Sequence, residues 1–379
     1  MYPKDKGDLT MFITDKNELK KYYAENRIWQ GIPSIEVTPK GRIFVTFYSG
    51  GIKEEIGNYS ILIVSDDGGK TFTEPVAVVY EEGHRHFDPC LWIDPVGRLW
   101  LTYTKFPDDG LYAVICNDPD ADELVFGEEF FIGHDVMMNK PIIMKNGNWA
   151  LPIAVWDWRL AENFPGFGMD NPDKGSFVYT SSDNGKTFVK RGCTRIEDRS
   201  FDEHMLLEMN DGTLRMFVRG EHGVIYASDS HDGGDTWSDG FDSGYRGPTS
   251  RFHITRLKSG RILFVNHYDF AERDHLYAML SEDDGKTFPY KLLIDERKDV
   301  SYPDAKEAED GFIYITYDRE RGGYKKSYAE AKECAREILV AKITEDDILK
   351  VSIQNQESYL ERVASKLSEY NGDAEALYN

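Results

Sequence analysis

Polar and charged residues recur along this chain in short clusters, each just ahead of or inside an apolar run. They are Arg85, His86 and Asp88; Asn139 and Lys140; Asp202, Glu203 and His204; Arg251 and His253; and Tyr302 with Asp304. Carboxylates and imidazoles can move protons near neutral pH, guanidinium groups grip anions through paired hydrogen bonds, and amide or hydroxyl groups bond sugar hydroxyls. Any one of these residues could equally bond a sheet edge. Their recurrence at matching positions is what argues for a shared polar site. Six of the nine histidines, His84, His86, His204, His253, His267 and His275, fall near such positions. Only His84 and His86 are spaced like a ligand pair, so no metal or other cofactor is expected, and sugar hydrogen bonding or proton transfer suits them better. Trp29, Trp156 and Trp158 could stack on sugar faces or fill space between structural units.

Something must bring clusters so distant in sequence together. The pattern Ser-x-Asp-x-Gly-x-Thr-aromatic occurs four times, starting at Ser65, Ser181, Ser230 and Ser281. Its Asp and Ser side chains can bond nearby N–H groups while Gly supplies a positive φ, which makes it a turn between strands. The copies lie roughly 50 residues apart except for one gap of about twice that, where Cys116 to Asp120 keeps turn character but loses the spacing. Six apolar openings can be read, at Ile32-Pro33, Asp88-Pro89, Asn139-Lys140, Asp202-Glu203, Ser250-Arg251 and Tyr302-Pro303. Most are followed by a Gly hairpin and a second apolar strand, such as Gly41 then Ile43 to Tyr48, or Gly311 then Phe312 to Tyr317. This predicts an all-β, six-bladed propeller over residues 1–352, whose inner-strand openings converge on one axis. Met11 to Thr14 is read as an outer strand that closes the last blade, and Tyr324 to Arg336 as a helical insertion. Ile353, Leu360, Val363, Leu367 and Tyr370 step by three or four in part, so 353–379 is read as a short C-terminal amphipathic helix that packs on a blade or forms a dimer contact.

A net charge of −22 in 379 residues, with pI near 4.9 and no basic run, excludes nucleic acid and anionic membrane as expected partners. The N-terminus, Met1 to Asp8, has no apolar stretch, and no apolar run approaches the ~20 residues of a membrane span, so a soluble, cytoplasmic chain is expected. Cys90, Cys116, Cys193 and Cys334 sit singly, as buried free thiols would.

Four such turns on a six-bladed pattern with Ile32-Pro33-Ser34 at its first opening resemble the sialidase superfamily of Asp-box (BNR-repeat) propellers, over about residues 28 to 349. Asp202-Glu203-His204 followed by Val218-Arg219 resembles the segment that carries a catalytic Glu and a carboxylate-binding Arg. Arg273 resembles a second arginine of that triad, and Ser301-Tyr302-Pro303-Asp304 the segment of the nucleophilic tyrosine. The resemblance implies Tyr302 as nucleophile, Glu203 as its base, and Arg219 and Arg273 as anion holders. Chemically this is apt, since a carboxylate beside the anomeric carbon repels a carboxylate nucleophile and a neutral tyrosine attacks it more readily. Two positions depart from the pattern. Gly31 stands where the first triad arginine is expected, so a guanidinium introduced there should strengthen anion binding; Arg85 or Arg251 is the expected substitute. On the loop that should hold the acid/base aspartate only glutamates occur, and Glu55, with Glu54 beside it, is the expected replacement. Asp88, Asn139, Lys140, His204, His253 and Gln30 are expected to contact the sugar.

The leading expectation is an exo-acting glycoside hydrolase for a terminal acidic or related sugar. A polysaccharide lyase on the same scaffold and a non-catalytic glycan-binding propeller are the alternatives. The one would use His and Tyr as proton carriers; the other has no need of an activated tyrosine.

Overall fold

The computed structural model describes residues 11–107, 110–134, 136–156 and 174–378. Trp158 lies outside them. Six antiparallel sheets are arranged about one axis. Their inner strands are Gln30–Val37, Arg85–Ile93, Ile142–Ile143, Met205–Glu208, His253–Arg256 and Val300–Glu307, which coincide with the six openings read from the sequence. The hairpin glycines Gly41, Gly97, Gly212, Gly260 and Gly311 take φ from 86° to 92°, the left-handed conformation that a tight return between first and second strands requires. Each intact Ser-x-Asp-x-Gly turn is pinned in the same way. In the first, Ser65 Oγ accepts from Gly69 N at 3.0 Å, Asp67 accepts from Thr71 N at 3.0 Å, and Ser65 Oγ donates to Asp67 at 2.8 Å. These turns join the third and fourth strands of their blades, and none lines the axial pocket described below.

Blades hold one another through apolar faces. Leu263, Leu280 and Ile294 of blade five interlock with Ile315, Leu339 and Ile343 of blade six, and all are buried. The ring closes by the same device, with Ile35, Val45 and Ile63 of blade one packed on Tyr314, Ile338 and Val340 of blade six. The expected exchange of an N-terminal strand does not occur. Met11–Ile13 pairs instead with Ala77–Tyr80 as a fifth strand of blade one.

The outer strand of blade six comes from the C-terminal segment, and this overturns the amphipathic helix. Tyr359–Lys366 is a strand paired with Glu337–Thr344, with Leu339 opposite Val363 and Lys342 opposite Tyr359. The free edge of Glu337–Thr344 demands hydrogen-bond partners, and two register shifts along the pair interrupt strict alternation, which leaves the apolar residues at partly helical spacing. Among the described residues only a 3-10 turn, Glu375–Leu377, follows. The insertion after Phe312–Arg319 does hold a helix, Tyr328–Lys332, capped by Ser327 Oγ accepting from Glu330 N.

Candidate active site

Three inner strands carry the same irregularity near their start. Ile32, Asp88 and Tyr302 each precede a proline, sit at a shift in register with the second strand, and take positive φ of 56°, 49° and 56°. Proline offers no N–H to the ladder, so the bulge is the natural place for it. A left-handed conformation costs a side-chain-bearing residue about 1–3 kcal/mol, and here it turns all three side chains into one pocket at the axis. That pocket has a volume of about 210 Å³.

Tyr302 Oη donates to Glu203 Oε1 at 2.9 Å, and Arg219 Nη1 lies 2.6 Å from the same carboxylate oxygen and 3.1 Å from the phenol oxygen. Glu203 ends the turn that leads into its blade's inner strand, while Arg219 is the last residue of the neighbouring strand, Leu214–Arg219. Thr249 O accepts from both Arg219 Nη2 and Arg273 Nη2 at 3.0 Å, which holds the two guanidiniums side by side. A third guanidinium, unforeseen in the sequence, lies against the tyrosine ring: Arg321 Cζ is 4.1 Å from the Tyr302 ring centroid, and Arg273 Cζ is 5.3 Å from it. Arg321 Nε donates to Asp318 at 2.8 Å. Its side chain crosses the space above Gly31, where an added Cβ would meet Arg321 Cδ at 2.5 Å. The gap left by the missing blade-one arginine is thus filled from blade six. The Tyr302 phenol is pushed above its ordinary range, first by burial and then by the Glu203 charge, with the three guanidiniums opposing both. It rests as a neutral phenol beside a carboxylate that can take its proton.

On the loop after Ile43–Ser49 the pocket-facing glutamate is Glu54, not Glu55. Glu54 lies 3.3 Å from Arg85 Nη2 and 3.7 Å from Arg321 Nη1. Glu55 turns back on its own loop, where Oε1 accepts from Ile52 N at 2.9 Å. Arg85 does reach the pocket; it also donates to Tyr48 Oη at 3.2 Å. Asp88 is buried in the pocket wall, and its Oδ2 finds no hydrogen-bond partner among the described residues. Burial pushes its carboxyl up to about 8, against the pull of Arg85. An unfolded chain would ionise Asp88 near its ordinary 3.8, so between that value and about 8 the folded state binds the extra proton and stability falls as pH rises. The slope from this one group is at most about 1.4 kcal/mol per pH unit. Asp88→Asn should therefore lose less stability than the native chain between about pH 5 and pH 8 in urea denaturation. Parallel slopes would mean that Asp88 is ionised in the fold.

The other expected sugar contacts lie deeper along the axis or between blades. Asp304, two residues beyond Tyr302, accepts from Ser34 Oγ at 2.6 Å and Ile35 N at 2.9 Å, and pairs with Lys140 Nζ at 2.9 Å and His253 Nδ1 at 3.1 Å. Burial opposes its charge, but Lys140, His253 and Arg251 outweigh it and hold the carboxyl well below the usual range. Lys140 also donates to Ile35 O and Leu91 O, and Arg251 to Asn139 Oδ1 and Pro33 O. Asn139 Nδ2 donates to His204 O, and the His204 ring faces Asp202 O and Phe177 O. Gln30 is wholly buried between blades one and six, bonded to Arg27, Arg336 O and Ser365 O. These residues pin the inner strands to one another. Trp156 lines the pocket, whereas Trp29 is buried and donates to Gly50 O. Among the described residues no group of three or more His, Cys, Asp and Glu is arranged to hold a metal, and no helix is long and apolar enough to cross a membrane.

Fold and site together define a sialidase-like propeller built from BNR repeats. The chain belongs to the BNR repeat-like domain family, which matches residues 41–315, more than half of its length. It is similar in fold to a protein of unknown function from Dyadobacter fermentans, at TM-score 0.60 and 18% identity over 83% of this chain and 94% of that one. It is also similar to the NanB sialidase of Streptococcus pneumoniae, at TM-score 0.59 and 12% identity over 86% and 70% of the two chains. A third likeness is to the intramolecular trans-sialidase of Ruminococcus gnavus, at TM-score 0.59 and 13% identity over 88% and 98%. Comparison with the curated proteins finds no match.

Proposed function

We propose that this protein is an exo-acting glycoside hydrolase that releases a terminal sugar bearing a carboxylate on or beside its anomeric carbon. The observation that carries this reading is the contact of Tyr302 Oη with Glu203 Oε1 at 2.9 Å, with Arg219 bonded to both groups. Glu203 takes the phenolic proton as Tyr302 Oη attacks the anomeric carbon. The bond from that carbon to the leaving oxygen breaks, and a proton from Glu54 goes to the leaving group. Water then attacks the same carbon and gives a proton back to Glu54, while the bond to Tyr302 Oη breaks and the phenol takes its proton back from Glu203. Arg219, Arg273 and Arg321 surround the place where the sugar carboxylate would lie, and guanidinium forks fix its orientation as well as its charge. Asp88, held neutral by burial, can donate a hydrogen bond to the sugar ring. The lyase reading gains nothing from the site: no histidine lines the pocket among the described residues.

The test is a panel of aryl glycosides of sialic acid, of hexuronic acids and of neutral hexoses, followed by both mass and ultraviolet absorbance. Cleavage confined to acidic members, with addition of water and no new absorbance of an unsaturated sugar, is the expected result. An unsaturated product would make the protein a lyase. Binding without turnover of any member would make it a glycan-binding propeller.

A further inference from the structure

Glu54 stands on an irregular loop, residues 50–58, that joins Ile43–Ser49 to Tyr59–Ser65 and has no strand ladder to hold it. A side chain supplies the missing bonds. Asn58, at the end of the loop, is wholly buried, and its amide is used at both ends. Nδ2 donates to Lys53 O at 3.1 Å and to Gly50 O at 2.9 Å, while Oδ1 accepts from Glu55 N at 2.7 Å. The peptide groups on both sides of Glu54 are therefore tied to one side chain, which leaves the Cα–Cβ direction of Glu54 little freedom to turn. Asn58 is itself fixed from blade two. Its backbone O accepts from His86 N at 3.0 Å, and Gly57 N donates to His84 O at 2.7 Å. Gly50 O accepts also from Trp29 Nε1, and Ile52 O from Tyr324 N at 3.1 Å, so blades one, two and six all hold the loop. Positive φ at Gly50, Gly51 and Gly57, of 115°, 59° and 95°, lets the chain fold back tightly enough for one amide to span it.

We propose that Asn58 is the positioning residue for the proton donor: it aims the Glu54 carboxylate at the oxygen that leaves the anomeric carbon. The inference rests on the hydrolase reading for the role of Glu54, and on the hydrogen bonds alone for the hold on its backbone. An amide of this length offers a donor and an acceptor at once. Aspartate would keep the acceptor and set a carboxylate oxygen against two carbonyl oxygens, whereas leucine would keep the volume and leave all three backbone groups without their partner. In either variant Glu54 remains in the chain, with Arg85 and Arg321 still present, and loses its aim. Transfer of a proton to a leaving group depends steeply on such placement.

The native chain, Asn58→Asp, Asn58→Leu and Glu54→Gln are compared on phenyl and para-nitrophenyl glycosides of sialic acid and of glucuronic acid. Phenolate leaves poorly unless a proton reaches it, and para-nitrophenolate leaves readily without one. Glu54→Gln sets the scale for a missing acid. In the Asn58 variants kcat/KM should fall at least ~10-fold on the phenyl glycoside and less than ~3-fold on the nitrophenyl one. A loss of folded protein lowers both alike, so the ratio between them reports proton donation and not stability. Equal losses on the two glycosides, or no loss on either, overturn the proposal and leave the hydrolase reading standing. Hydrogen exchange followed by mass spectrometry reads the loop without turnover: peptides covering residues 50–58 should exchange at least ~10-fold faster in Asn58→Leu, while those from Val300–Glu307 keep the native rate. If the native chain cleaves no glycoside, the hydrolase reading falls; faster exchange then still upholds the hold on Glu54, and unchanged exchange overturns that as well.

Discussion

Tyr302→Phe should abolish turnover, with kcat lowered on the order of 10³-fold or more, while the melting temperature moves by only a few degrees. The substitution removes one oxygen atom and keeps the ring, which is only 6% exposed and has the Arg273 and Arg321 guanidiniums within 5.3 and 4.1 Å of its centroid. What is lost is the proposed nucleophile, with its bond to Glu203 Oε1 and the one it accepts from Arg219 Nη1. The Arg219 to Glu203 contact at 2.6 Å stays, so no buried charge loses its partner. This separates the variant from Glu203→Ala, in which a nearly buried guanidinium would lose its carboxylate and the fold itself would suffer. The measurement pairs steady-state kinetics on the best aryl glycoside of the panel with thermal unfolding. Retention of a tenth or more of native kcat would exclude Tyr302 as the attacking group and leave Glu203 or Asp88 to be considered.

The repeat made the fold legible in the sequence. Turn chemistry and hairpin glycines are local, and they recur in each unit because each unit solves the same problem of returning a strand. The site was legible only in part. Tyr302, Glu203, Arg219 and Arg273 meet as their order along the blades implies, since Tyr302 and Arg219 lie at the mouth ends of their strands and Glu203 and Arg273 on the segments that lead into theirs. Residues of the same polar types that belong deeper along the axis could not be told apart from them. Asp304 lies two residues after Tyr302, and Ser34 two after Ile32, so one strand places the first of each pair in the pocket and the second in the ionic hub below it. Polarity at an opening indicates the axis and says nothing of depth. Glu54 and Glu55 differ for a related reason: on an irregular loop no period fixes which of two neighbours faces inward, and the bond from Ile52 N to Glu55 decides it. The lost spacing of the blade-two turn concealed nothing, whereas the two register shifts in the last strand pair disguised a strand as a helix.

The most informative miss is Arg321, and it changes what Gly31 means. Read alone, Gly31 is a lost anion holder; in the fold it is the clearance that lets a blade-six arginine lie across blade one. Its φ is outside the left-handed region, so backbone conformation does not demand glycine there, and the contact with Arg321 Cδ does. Gly31→Arg alone should therefore harm the site instead of improving it, by driving Arg321 off the Tyr302 ring. Arg321→Ala should lower kcat/KM on a carboxylate-bearing substrate about 10- to 100-fold, as expected for loss of a charge-assisted hydrogen bond of ~1.5–3 kcal/mol, and should scarcely affect any residual cleavage of neutral glycosides. The combined variant, Gly31→Arg with Arg321→Ala, opens the space that the first substitution needs and offers a guanidinium from the other side of the same gap. Recovery of activity above that of Arg321→Ala would show that the pocket requires three guanidiniums and is indifferent to which blade supplies the third. The three variants form a double-substitution cycle, so the coupling between positions 31 and 321 is read directly and separately from losses of stability. Equal losses of acidic and neutral cleavage in Arg321→Ala would give Arg321 a different meaning, as a support for the Tyr302 ring with no hold on the substrate anion.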